Sequence, residues 1–198
     1  MGPTLYNIYE IVELIDEPNR SACKKYLSDN WKLLTRVQGS TNNHQAWPGG
    51  YLDHITDGMN LALVDYRTFN TIRPLPFTLS DLLFCIFWHD SEKPSSYEVG
   101  PDGNIRRIEA LRSKTAQHAF RAKRLSEYGI VLTPEQANAL KYCEGEMGDY
   151  SGEHRVMGPL AAFCHRADIM SARVYFDHPK EIGDPWLNAM RYRREERK

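Results

Sequence analysis

The run Phe84-Cys85-Ile86-Phe87-Trp88 leads directly into His89-Asp90-Ser91-Glu92-Lys93. Leu79, Leu82, Leu83, Ile86 and Phe87 make the preceding segment apolar nearly all round, the pattern of a helix at the centre of a fold. Thr78 or Ser80 caps its start, and Pro94 stops the chain beyond Lys93. A buried helix that ends in an imidazole and a carboxylate needs something to compensate them, because an unpartnered buried polar group is costly. A divalent cation does so, since both groups are good ligands for one. The ordinary alternative is that Asp90 merely ends the helix and His89 is half exposed.

The rest of the chain reads as helices around this one. Ile8, Ile11, Val12 and Ile15 recur with helical period up to Asp16-Glu17-Pro18. A second helix is expected from about Pro18 towards Val37, with Ala22, Tyr26, Leu33 and Leu34 facing inward. Gly39 to Gly50 is loop by composition, and loops of that kind line sites more often than they build cores. A helix from about Tyr51 to Asn70 carries His54 beside its apolar stripe, on the face of Gly58 and Leu61. Gly58 leaves room for a close approach.

Arg73-Pro74-Leu75-Pro76-Phe77 is a rigid connector. The turn signals Lys93-Pro94 and Gly100-Pro101-Asp102-Gly103 suggest a hairpin or lid over Ser95 to Asn104. A long arginine-rich helix is expected from Ile105 to Tyr128, closed by Gly129. Thr133-Pro134-Glu135-Gln136 is a strong helix start, and that helix runs to about Cys143. An acidic loop, Glu144 to Gly152, precedes a last helix from about Val156 to Phe176. On it Leu160, Cys164 and Asp168 stack at four-residue spacing. Asp168 sits among apolar residues and needs a partner, either a cation or an arginine such as Arg166 or Arg173. Short strands are open at Tyr97–Val99 and Ile130–Leu132. The tail from Arg191 to Lys198 is charged and expected to fray.

With 198 residues the chain fits one domain with a real core. A formal net charge of −1 argues against a protein that coats nucleic acid, although a local basic patch stays open. No apolar run reaches the length of a membrane span. Asn7, Glu10 and Glu13 rule out reading the N-terminus as a signal peptide. The four cysteines, Cys23, Cys85, Cys143 and Cys164, form no CxxC pair. Cys85 and Cys164, in apolar helical surroundings, are expected to be buried thiols, and the protein to be cytoplasmic.

His54, the pair His89-Asp90, and Asp168 thus sit on three separate helices as an N/O donor set suited to Mn, Fe, Co, Ni or Zn. This ordered set, His … His-Asp … Asp, resembles the HD-domain metal-dependent phosphohydrolase superfamily. Pro48-Gly49-Gly50-Tyr51-Leu52-Asp53-His54 is similar to the glycine-glycine-hydrophobic run before the first histidine of many members. His89-Asp90-Ser91-Glu92-Lys93 has the His-Asp-x-x-Lys spacing of one branch, with Glu92 where that branch usually has glycine. Leu132 to Gln136 and His165 to Ala172 look like the family's late helices. The likeness covers roughly residues 40 to 176, with residues 1 to 39 as additional N-terminal helices of a single domain.

The resemblance implies an all-α, HD-domain helical bundle with a central metal held by His54, His89, Asp90 and Asp168. Dinuclear members carry extra histidines where this chain reads Lys141-Tyr142-Cys143-Glu144-Gly145, and His118 and His154 lie outside a matching context. One metal is therefore expected, with a second through Glu144 or His154 left open. The implied activity is hydrolysis of a phosphate ester or anhydride by a metal-activated water, on a small nucleotide such as a nucleoside mono- or triphosphate. Lys93 would neutralise phosphate charge and Glu92 would act as general base. His44 and Trp47 would reach over the site from the loop, the tryptophan as a stacking face, and Arg36 would clamp phosphate. The alternatives are a phosphodiesterase or exonuclease on short oligonucleotides or cyclic nucleotides, and a nucleotide sensor without turnover. A homo-oligomer stays open, and no membrane partner is expected.

Overall fold

Thr78 starts the central helix: its hydroxyl accepts from the Asp81 N–H at 3.0 Å. Ser80, the other candidate cap, instead accepts from the Asp16 backbone at 2.8 Å and ties the N-terminal segment to this helix. In the computed structural model, which describes residues 4–40, 43–99, 101, 105–146 and 148–176, the central helix is α4, Leu79–Trp88. Every residue of it from Leu82 onward is buried. Ahead of it come α1 (Ile8–Val12), α2 (Asn19–Leu34) and α3 (Gly50–Ile72). After it come α5 (Lys114–Glu127), α6 (Pro134–Tyr142) and α7 (Pro159–Ile169). The fold is all-α, apart from one antiparallel pair, β1 (Tyr97–Val99) with β2 (Ile105–Arg107), in the register Glu98 to Arg106. No helix among the described residues is long and apolar enough to cross a membrane.

Helix α4 packs against α3, α7 and α6, and α6 lies along α7. Trp88, Tyr51, Phe84, Ile55, Met59 and Leu63 fill the interior between them. Tyr26 of α2 closes the far side, with its ring 4.8 Å from that of Trp88. All four cysteines are buried free thiols.

Three expectations change. The arginine-rich stretch from Ile105 to Tyr128 is not one helix. Ile105–Arg107 pairs as a strand, Glu109–Leu111 forms a single 3₁₀ turn, and only then does Ser113 cap α5 by accepting from Ala116 at 3.1 Å. Cross-strand pairing wins there, and charge pattern alone cannot reveal it. Ile130–Leu132 forms no strand. The last helix begins at Pro159, because Val156 and Met157 donate instead to the Glu146 carboxylate at 3.3 and 3.0 Å. It closes in a π-turn, Met170–Val174. The 102–104 part of the hairpin and the tail 191–198 lie outside the described residues.

The glycine pair before α3 has a physical cause. Gly49 has φ +81°, and a Cβ on Gly50 would lie 1.9 Å from the Gln45 carbonyl oxygen. Gly50→Ala is expected to lower stability by roughly 1–3 kcal/mol, the usual cost of overpacking, in urea unfolding. Gly152→Ala, with open space around it, should leave the midpoint within error and serves as the control.

Candidate metal centre

Three helices bring four side chains to one point. His54 comes from the second turn of α3, His89 caps α4 and Asp90 follows it, and Asp168 lies near the end of α7. The two imidazole Nε2 atoms are 3.3 Å apart. His54 Nε2 is 3.4 Å from Asp90 Oδ2 and 3.2 Å from Asp168 Oδ1. His89 Nε2 is 3.2 Å and 3.5 Å from the same two oxygens. Ligand atoms about 2.1 Å from a shared ion at tetrahedral angles stand about 3.4 Å from one another. The observed separations therefore fit a common cation, and the two-nitrogen, two-oxygen donor set suits a first-row transition metal.

The far side of each ring is spoken for. His89 Nδ1 lies 2.7 Å from the Ile86 carbonyl oxygen. A carbonyl only accepts, so Nδ1 carries the proton and Nε2 presents its lone pair. His54 Nδ1 meets the Ser171 hydroxyl at 3.0 Å, and that hydroxyl in turn reaches the His54 carbonyl at 3.4 Å. Ser171 is itself held by Gln45, whose Nε2 donates to the Ser171 carbonyl at 2.9 Å. Gln45 has φ +40°. This left-handed backbone is unusual outside glycine and is kept where the surroundings over-determine it. The loop thus locks the π-turn, and the π-turn locks His54.

The electrostatics follow from burial among opposite charges. Burial opposes a charged His89, yet the neighbouring Asp90 and Asp168 carboxylates win and raise its proton affinity well above the usual imidazole range. Burial likewise opposes an ionised Asp90, but Lys93 and His89 hold it well below the normal carboxylate range. Asp168 is held low against its burial by the two histidines. Lys93 Nζ is 2.5 Å from Asp90 Oδ2 and 3.1 Å from His44 Nε2. Burial, and then the Lys93 charge, push His44 down to about 3, so it is neutral and accepts from the ammonium.

The centre opens on a cavity of about 380 Å³, whose wall includes His44, Asp90, Lys93, Glu144, His165, Asp168 and Arg173. Of the residues expected to contact substrate, Lys93 and His44 are in this wall. Trp47 is not: its ring is 2 % exposed and its indole N–H donates to Asp53 at 2.9 Å, so it anchors the loop and offers no stacking face. Arg36 is exposed and lines a separate hollow of about 160 Å³ with Pro94 and Tyr97. Glu92 is buried outside the wall, gripped by Arg121 at 3.1 Å through Nε and 3.0 Å through Nη2. Burial raises the proton affinity of Glu92 against that pull.

A second group of oxygens, on Asp90, Glu92 and Glu144, lies within 4.8 Å. Cations of the protein already sit on it: Arg121 on Glu92 and 3.7 Å from Glu144, Lys114 on Glu144, and Lys93 on Asp90. His118 and His154 belong to neither metal cluster found among the described residues. Sequence reasoning missed His165, Ser171 and Arg121 as parts of the site. His165 and Ser171 stand three residues to either side of Asp168, a spacing that places them on its helical face. Nothing distinguishes Arg121 from its arginine-rich neighbours until the helix is packed.

Comparison with protein-family models, with curated proteins and with solved structures finds no match for this chain.

Because a cation must displace the proton that His89 holds, metal uptake is expected to release protons, and apparent affinity should go on rising with pH through and above the ordinary imidazole range. Calorimetry in two buffers of different ionisation enthalpy measures this directly. Ser171→Ala, which frees the His54 ring, should cost about 10- to 100-fold in metal affinity.

Proposed function

We propose that this chain is an HD-type metal-dependent phosphohydrolase that cleaves a phosphate ester or anhydride of a small nucleotide. The observation that carries the reading is the convergence of His54, His89, Asp90 and Asp168 beside a cavity whose wall also holds a lysine. The HD assignment and the nucleotide come from the resemblance in residue order and spacing; the geometry supports the metal and the anion. A bound divalent metal would supply an activated water and polarise the phosphoryl group.

The chain's own residues do the rest. His54 and His89 present their Nε2 lone pairs because Ser171 and Ile86 hold the opposite nitrogens. Lys93 is fixed between Asp90 and His44, so its charge stands ready at the cavity wall without first ordering a flexible side chain. Glu92 was the expected proton acceptor, but it is buried on Arg121 outside the cavity wall. We assign that role to Glu144, which lines the cavity and is within 4.8 Å of an Asp90 oxygen. Glu92 and Arg121 then act as a positioning pair that braces the segment after α4. A cavity of about 380 Å³ lies at the small end of ligand sites, which favours a mononucleotide over an oligonucleotide.

The test is phosphate release from a panel of nucleoside mono- and triphosphates with added Mn, Co or Zn. Release should require the metal, and Asp90→Ala should abolish both release and bound metal. Turnover of short oligonucleotides that weakens steeply with salt would favour the phosphodiesterase reading. Nucleotide binding without release under any metal would favour the sensor.

A further inference from the structure

His165 lies one turn before Asp168 on α7 and lines the same cavity. Its Nδ1 is 2.6 Å from the carbonyl oxygen of Cys143, the C-cap of α6. That is the device that orients His89, and it has the same consequence: Nδ1 carries a proton and Nε2 is left for other use. No hydrogen bond to Nε2 occurs among the described residues. Gly145, at φ +108°, passes along this edge of the ring, where a Cβ would make ordinary contact at 3.6 Å from Cε1 and 3.9 Å from Nε2.

The other polar groups of the wall are committed. His44 Nε2 accepts from Lys93, and Lys93 is on Asp90. Glu144, paired with Lys114, already has the part of proton acceptor from the water. Apart from the candidate metal ligands, Asn43, His165 and Arg173 remain, and of an amide, an imidazole and a guanidinium only the imidazole is a general acid.

We propose that His165 is a catalytic residue, the proton donor to the leaving-group oxygen; this rests on the phosphohydrolase reading above. In the step, a water oxygen bonds to phosphorus and the bond from phosphorus to the leaving oxygen breaks. The Nε2 proton of the imidazolium passes to that oxygen, which departs as an alcohol. The ring is left neutral, with its Nδ1–H still on the Cys143 carbonyl. The proton given up by the water passes to Glu144 and from there, through solvent, restores the imidazolium, so the sum is ester plus water to alcohol plus phosphate. A nucleoside is a poor leaving group and needs the proton; 4-nitrophenolate leaves without it.

The experiment compares the unsubstituted protein with His165→Gln and His165→Asn on a nucleoside monophosphate and on 4-nitrophenyl phosphate. The kcat on the nucleotide should fall about 10²- to 10⁴-fold, the usual contribution of a general acid, with less than about tenfold lost on the nitrophenyl ester. Bound metal per chain should be unchanged. Equal losses on both substrates, no loss on either, or loss of the metal would each overturn the assignment. Nitrogen-15 NMR of the unsubstituted protein gives an independent check: a His165 ring protonated at Nε2 with bare Nδ1 would sink it. If the unsubstituted protein releases phosphate and the variants lose both substrates equally, the hydrolase reading stands and only this proposal falls. If it releases none from either substrate, both fall together.

Discussion

Two imidazole nitrogens face each other across 3.3 Å, flanked by two carboxylates, where three helices meet. Lone pairs do not share such a space unless a positive charge lies between them. With a cation the four groups become a ligand set; without one, a proton on His89 takes the position, which is why the carboxylates raise the affinity of that ring against its burial. The packing of α3, α4 and α7 is bound to this balance. A shift of any of the three helices by one residue would leave a buried carboxylate or imidazole without its counterpart, a loss larger than most single apolar contacts.

The surrounding layers act through this centre. Gln45, in its left-handed conformation, joins the loop before α3 to the π-turn after α7, and Ser171 carries that constraint to His54. On the opposite side Arg121 draws α5 and α6 towards the segment after α4, donating to the Leu140 carbonyl at 2.7 Å while it grips Glu92. Charge beside the candidate ligands is therefore distributed in pairs. Lys93 meets Asp90, Arg121 meets Glu92, and Lys114 meets Glu144.

The order His54, His89-Asp90, Asp168 was readable because each residue interrupts an apolar stripe, and a polar group there requires an explanation. The helix starts at Thr78 and Thr133 were readable because a cap is local chemistry: one hydroxyl and one N–H three residues on. The supposed helix from Ile105 failed for the converse reason, since its first residues are held by a partner strand elsewhere in the chain. Trp47 was read as a ring over the site because glycine-rich loops are commonly exposed. Asp53 draws it inward instead.

Local order along the chain thus determined the helical class, the ligand types and their sequence of appearance, because periodicity and capping depend on neighbours within a few residues. Folding alone decided which charges cancel which. The choice of Glu144 over Glu92 at the cavity wall, the clamp by Arg121 and the arrival of His165 beside Gly145 all join residues 20 or more positions apart. Such pairings depend on helix packing and on the cost of burying an uncompensated charge, and neither is expressed within any short stretch of the polypeptide.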